Sequence, residues 1–428
     1  MRRARALAAA LVLLLAGCSG DGDGGNSGGR ITLRFQSLAW QQESVAANRE
    51  LVAEWNARHP DVRVEYVQGS WTSVHDQLLT SFEGGEAPDV IHDASDDLAD
   101  FAYGGYLADL GKLLPRRLRD DIPRASWDTT TFGGTVYGVP FLQEPRVLVA
   151  NARWLKESGV RIPTPDKPWS WPEFRSVTRE LGAGKGKYGV AWPLKEPVSA
   201  TLNLSLSAGG ELFHRRPDGK AEIRFEDADA VVPRTVHDQV NVDGSASGAT
   251  LGMGGSDTLP GFFGGKYAMV PLGFSYRQQI VQQAPKGFAW QVLPAPAGAD
   301  GLAQGVSPQT LSVAEDSPYK KEAAAFIDFF LRPANMVRLA RGDWMLPTGE
   351  EALKDPALRT RKNDWATGTA LARHLRPAPA QSVRGYPEWS DKVATPALQE
   401  YYSGAIGLDE LKKRLVEDGN LVLRRYQR

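Results

Sequence analysis

Five aspartates fall within PDVIHDASDDLAD (88–100). Paired carboxylates carry out glycoside hydrolysis when they stand about 5–10 Å apart. A sequence does not fix that separation. Asp96, Asp97 and Asp100 equally suit the start of a helix, where negative charge is favoured. The acids therefore admit a surface polysaccharide hydrolase without arguing for one. The tryptophans say more. Of twelve, Trp55 lies on a helical stripe and belongs to a core, whereas Trp40, Trp71, Trp192, Trp344 and Trp389 fall at strand ends or in loop-like contexts. An indole face packs on the apolar face of a sugar ring while carboxylates and amides take its hydroxyls. Local packing accounts for any one of these rings as well as ligand contact does. As a set they point to a cleft for something amphipathic. A carboxylate-rich site would also suit a cationic solute such as a polyamine, whose binding, unlike that of a neutral sugar, would weaken with salt.

Other chemistries find no support. GKGKYG (184–189) fits a dinucleotide fingerprint by letter, but that motif must follow a strand and open a helix. Here a helix ends near Leu181 and a strand follows at Tyr188, so the glycines mark a helix exit. Six scattered histidines include no pair at metal-ligand spacing, and neither G-x-S-x-G nor a Walker A motif occurs. No metal, cofactor or covalent catalysis is expected.

The elements around these residues place them. ITLRFQSL (31–38) puts Ile31, Leu33 and Phe35 on one strand face, and the helix after it, SVAANRELVAEWNARHP (44–60), carries Val45, Leu51, Val52 and Trp55 on one stripe behind a capping Ser44. VRVEYV (62–67), a helix from Ser73 to Phe82 and the strand in PDVIHDAS (88–95) complete an alternation that implies a parallel, doubly wound α/β sheet. Ligands on such sheets sit beyond the carboxyl ends of the strands. Those ends are Trp40-Gln41, Ser70-Trp71 and Asp93-Ala94-Ser95-Asp96. Further on, 136–151, 187–194, 266–274, 288–296 and 310–316 read as extended. PWSWPEFRSVTREL (168–181) reads as a helix capped by Ser170, and SPYKKEAAAFIDFFLRP (317–333) as one with Ser317 as cap and Pro318 in its first position. The glycine-rich stretch 241–260 reads as loop.

The amino terminus has its own logic. Arg2, Arg3 and Arg5 precede an apolar run, Ala6 to Ala16, too short to span a bilayer, then small residues and Cys18, the only cysteine in 428 residues. Leu15-Ala16-Gly17-Cys18 resembles the lipobox of bacterial lipoproteins, which implies cleavage before Cys18 and diacylation of its thiol. SGDGDGGNSGG (19–29) has no apolar side chain and is expected to act as a flexible tether. Loss of residues 1–17 removes three arginines and no acids, leaving 47 basic residues against 51 acidic and a formal net charge of about −4. That balance argues against a nucleic-acid partner. The remaining length suffices for two domains.

Taken in order, SFEGGEAPDVIHDASDDLADFAYGGYLADL (81–110), VYGVPFLQEPRVLVAN (136–151), PWSWPEF (168–174), FFGGKYAMVPLGF (262–274), MLPTGEEAL (345–353) and YYSGAIGLDELKKRL (401–415) resemble the family 1 extracellular solute-binding proteins of ABC importers, the group that includes maltose-binding protein. The resemblance implies a type II periplasmic-binding fold, two doubly wound lobes joined by a multi-strand hinge with crossings near 139–142, 300–306 and 344–348. Lobe one would be 30–139 with 306–344, and lobe two 140–305 with 348–428. Carried over residue by residue, the family's contact positions fall at Trp40, Asp93 to Asp96, Glu144, Trp192, the Phe274-Ser275-Tyr276 turn and Trp389. The chain has Gly273-Phe274-Ser275 where relatives carry Gly-Pro-Trp, Ala150 for a common tyrosine, and an acid, Asp93, for an aromatic. These departures turn the expectation away from maltodextrin and leave other carbohydrates.

The sequence thus leads to a lipid-anchored, non-enzymatic receptor outside the cytoplasmic membrane. It is expected to act as a monomer, capturing a sugar or oligosaccharide and presenting it to ABC permease subunits. Replacing Cys18 with serine should release the protein into the medium, detectable by fractionation, with ligand binding intact. Retention on the membrane contradicts the anchor.

Overall fold

The computed structural model describes residues 30–427 apart from 379, 381 and 382. Cys18 and the segments expected to be leader and tether lie outside them. Ten strands build two sheets. The first contains β1 (Ile31–Ser37), β2 (Val62–Gln68), β3 (Val90–Ala94), β4 (Val139–Gln143), β9 (Gln309–Val313) and β10 (Leu346–Pro347), in the order β10-β4-β9-β3-β1-β2. The second contains β5 (Arg146–Asn151), β6 (Tyr188–Val190), β7 (Tyr267–Gly273) and β8 (Trp290–Pro294), in the order β8-β5-β7-β6. This is the two-lobed, type II arrangement. Both β4 and β10 belong to the first sheet, so the first crossing falls at 144–145, after the strand at 139–143 rather than within it.

Helices cover the sheets: α1 (Gln42–Arg58), α2 (Val74–Glu83), α3 (Leu98–Tyr103), α4 (Trp171–Leu181), α5 (Gly255–Phe263), α6 (Lys320–Phe330) and α7 (Pro333–Asp343). Helix α1 starts two residues before Ser44, which lies buried inside it with Asn48, Leu51, Val52 and Trp55. Asn48 takes the place expected for Val45 on the buried stripe, because its amide accepts from Ser37 Oγ and donates to Ser44 O. Ser170 caps α4 by accepting from Glu173 N–H. Ser317 does not cap α6. It donates to Asp89 at 2.6 Å, and the helix begins only at Lys320. Helix α5 rises out of the stretch expected to be loop, its entry fixed by Asp257 accepting from Gly254 N–H.

The two lobes bury different aromatics. Under the first sheet, Phe35 meets Phe326 and Phe330 edge-on at 5.4 and 5.3 Å, so α6 is pinned to β1 across almost three hundred residues of chain. The second lobe encloses Trp169, Trp171, Phe174, Trp192, Phe213 and Trp389.

Between them sits a buried cation. Arg277, fully excluded from solvent, donates to Phe274 O at 2.7 Å, to Trp344 O at 2.9 Å and to Asn363 O. Its guanidinium lies 3.2 Å from the Phe274 ring centre and 4.3 Å from that of Trp365. Burial works against the charge, and the nearby Asp364 and Glu144 carboxylates favour it. Removing one partner of a desolvated cluster leaves the others unpaired. Arg277→Met should therefore lower the unfolding free energy by about 3 kcal/mol in denaturant titration. A loss below about 1 kcal/mol would show that the three carbonyls find other partners.

Candidate functional site

Strand direction gathers the candidate residues. In the first sheet β1, β2, β3 and β4 run one way and β9 and β10 the other. One edge therefore collects 38–41, 69–71, 93–97 and 143–144 at strand ends, with 307–309 and 344–346 at strand starts. In the second sheet β6, β7 and β8 run together against β5, so its matching edge collects Trp192, the 274–276 turn and Arg146. Only Glu144 and Pro145 separate β4 from β5, which holds the two edges within about 10 Å of each other there.

A hydrogen-bonded chain stiffens the first edge. Leu38 N–H donates to His92 Nδ1 at 3.0 Å, which leaves the ring proton on Nε2 and directs it to Gln309 Oε1, also at 3.0 Å; Gln309 Nε2 then reaches Met345 Sδ at 3.2 Å. Burial pushes the His92 pKa down to about 4, so the ring is neutral. Trp71 stands edge-on against it at 5.6 Å. Trp40 is exposed beside a fixed neighbour: Ala39 N–H donates to Ser37 Oγ and its carbonyl accepts from Gln68, while Trp40 is 53% exposed. Gln41 is buried, reaching Asp343 O with its amide nitrogen and leaving its oxygen without a partner.

The acids differ in their surroundings. Asp93 is buried, with one oxygen accepting from Ala94 N–H and the other unpartnered. Burial, and then the charge of Asp97, push its pKa well above the ordinary carboxylate value. Ser95 is buried with its N–H on Pro308 O, and Asp96 accepts from Ser307 Oγ at 2.6 Å. Glu144 accepts from Ser275 N–H at 2.7 Å. Gly273 must be glycine to admit this carboxylate, since a Cβ there would lie 2.5 Å from Glu144 Oε1. Tyr276 stands half-buried within the field of Glu144 and Arg146. Trp40, Gln41, Trp71, Asp93, Ser95, Asp96, Glu144, Ser275 and Tyr276 thus all sit on the facing edges.

Four other expected rings are buried, three of them although their backbone lies on these edges. Trp192 is buried with its Nε1–H on Gln239 Oε1, and Trp389 is buried against Phe213 with its Nε1–H on Leu415 O. Phe274 is covered by Arg277. These three rings have no face to offer, because each fills the second lobe or its hinge. Trp344 donates to Glu43 and lines another cavity of 620 Å³ with Arg338 and Trp365. Larger surface cavities, 1040 Å³ beside Arg216, Glu388 and Arg425 and 810 Å³ beside His214, Arg224 and Arg376, contain none of the edge residues.

The sequence reading passed over His75, bonded to Asp97 at 3.0 Å, and Asp343, Tyr103 and Arg384. A signal existed for the first lobe: residues 64–111 hold ten acids and not one lysine or arginine. Nothing in the local sequence marks Asp343. Among the described residues no group of three metal-binding side chains comes together, and no helix is long and apolar enough to cross a membrane.

Two α/β lobes whose strand ends face each other across a short link define a binding protein of the hinged type. Residues 39–337 match the model of the bacterial extracellular solute-binding protein family, and the chain belongs to that family. It is 74% identical over 405 residues to an uncharacterized lipoprotein in the oleD 5′ region of Streptomyces antibioticus, covering 94% of this chain and 89% of that one. The arabinooligosaccharide-binding protein of Bacillus subtilis is 28% identical over 182 residues, 41% of this chain and 40% of its own length. The GacH receptor of Streptomyces glaucescens, solved unliganded and with acarbose, shares the fold with a TM-score of 0.77 at 21% identity, over 92% of this chain and 99% of that one.

Burial raises the Asp343 pKa to about 7, with the Glu144 charge adding to the shift. Between about pH 4 and 7 the unfolded chain has ionised this acid and the folded chain has not, so its contribution to stability falls as pH rises and levels off above 7. His92 acts in the opposite sense, since the unfolded ring takes a proton below about pH 6.5 and the folded ring only near 4. Asp343→Asn should remove only the first effect. Its melting temperature relative to the parent should climb from pH 4 to 7 and then stay level; an offset independent of pH would contradict the assignment.

Proposed function

We propose that the protein is a lipid-anchored extracytoplasmic receptor that takes a sugar or oligosaccharide between its lobes and delivers it to the membrane subunits of an ABC importer. The observation that carries this reading is Trp40, an exposed aromatic residue next to the bonded Ala39, on the edge that also bears Asp96 and Glu144. Trp40 and Trp71 supply ring faces. Asp93, Asp96 and Glu144 accept ligand hydroxyls, with Gln41, Ser275 and Tyr276 completing the polar wall. The relatives that bind an arabinooligosaccharide and acarbose support a saccharide, and the lipoprotein relative supports the anchor on Cys18. Closure of the lobes over the ligand would create the form that docks on the permease.

Calorimetry against a carbohydrate panel tests the ligand class. A saccharide should bind, and Trp40→Ala should weaken it about tenfold with the melting temperature unchanged. Binding of amino acids, peptides or polyamines alone would overturn the sugar assignment, and a Trp40→Ala affinity equal to the parent's would remove the ring from the site.

A further inference from the structure

The first lobe's residues 64–111 carry ten acids and neither lysine nor arginine, and the second lobe brings an arginine to them. Helix α3 belongs to the first lobe, since Leu98, Ala99, Phe101 and Ala102 pack with Leu38, Ile91 and Ala314. Residues 383–389 belong to the second, since Val383, Tyr386 and Trp389 pack with Phe213 and Trp192. The two segments touch. Gly385 N–H donates to Asp100 Oδ1 at 3.1 Å, and the Arg384 guanidinium lies 4.9 Å from the centre of the Tyr103 ring. Arg384 Nε is buried without a hydrogen-bond partner among the described residues, and the guanidinium stands against the ring and within the field of Asp100. Gly385 takes φ = 79°, the left-handed conformation that glycine adopts without strain and that sets its N–H toward the carboxylate. The contact lies beside one crossing, where Ser307 and Pro308 bond Asp96 and Ser95 and residues 304–306 pair with 375–377, and it adds a link between the lobes that the crossing segments do not themselves supply.

We propose that Arg384 and Gly385 form a clasp on Asp100 and Tyr103 that holds the lobes together, so that the protein closes partly on its own contacts and not on ligand contacts alone. Lobes that rotate apart about the hinge strain both interactions, because each has one partner in either core. A ligand that needs the closed form then binds in proportion to how much of that form already exists, and a clasp worth a factor of ten in the closing equilibrium appears as up to tenfold in affinity. The inference does not depend on the ligand being a sugar.

The test uses the full chain without ligand, read by small-angle X-ray scattering and by hydrogen-exchange mass spectrometry of the 383–389 segment. Arg384→Ala and Tyr103→Ala should each enlarge the radius of gyration and speed exchange at the Gly385 amide about threefold to tenfold, with melting temperatures near the parent's. Tyr103→Phe keeps the ring face and should behave as the parent. The Arg384→Ala, Tyr103→Ala double variant should open no further than either single change. Unchanged scattering and exchange in Arg384→Ala would overturn the clasp, as would a Tyr103→Phe variant as open as Tyr103→Ala.

Discussion

A guanidinium with no path to water organises the middle of this protein. The three carbonyls bonded to Arg277 come from residues 274, 344 and 363, far apart in sequence and drawn to one point. The backbone bends to meet it. Trp344, Asn363 and Asp364 all hold left-handed conformations with φ near 55°, which side chains other than glycine adopt only at a cost of about 1 kcal/mol or more each. Such strain persists when the surroundings fix it, and here the aromatic rings of Phe274, Trp344 and Trp365 enclose the cation on its remaining sides. The consequence reaches the site, because the segment that Arg277 holds at Trp344 runs directly into Met345, the last member of the His92 chain. The hinge and the stiff edge of the first lobe are thus parts of one polar network.

That network also explains why a binding edge can be both polar and rigid. A buried polar group is costly unless it is bonded. Leu38, His92, Gln309 and Met345 satisfy one another in sequence across β1, β3, β9 and the approach to β10. Trp40 can then project into solvent without loosening the strand that carries it. Beyond the chain the edge is left incomplete. The oxygens of Asp93 and Gln41 that lack partners are buried within it, and the Trp40 ring lies open. In the proposed receptor these are the groups with most to gain from a ligand that brings hydroxyl donors and an apolar ring face.

Charge is divided between the lobes in the same spirit. The first lobe's edge has carboxylates and two histidines, one neutral because it is buried and one held toward the protonated form by Asp97 against its own burial. The second lobe meets it with Arg384 and the Gly385 N–H. The lobes are therefore complementary at two places, the hinge with its buried arginine and the clasp with its half-buried one.

Strands β1 and β2 were legible from alternation, most of the more buried strands as extended apolar runs, and the parallel sheet from the strand-helix order, because those signals depend on neighbours two to four residues apart. Trp40, Trp71 and Asp96 could be placed at strand ends for the same reason, whereas Glu144 came from the family resemblance. The fates of Trp192, Phe274 and Trp389 could not be read. An indole at a strand end looks the same whether it faces a cleft or a core, and only packing from distant segments, such as Phe213 on Trp389, decides which. Cap positions failed where a distant acid outbid the local one, as Asp89 does for Ser317. The sequence by itself determined the fold class and the direction of the edges, since local periodicity and chain order dictate both. Tertiary structure alone decided which rings remain free, which acids lose their charge and where the lobes touch, because burial and partnership are properties of residues brought together from afar.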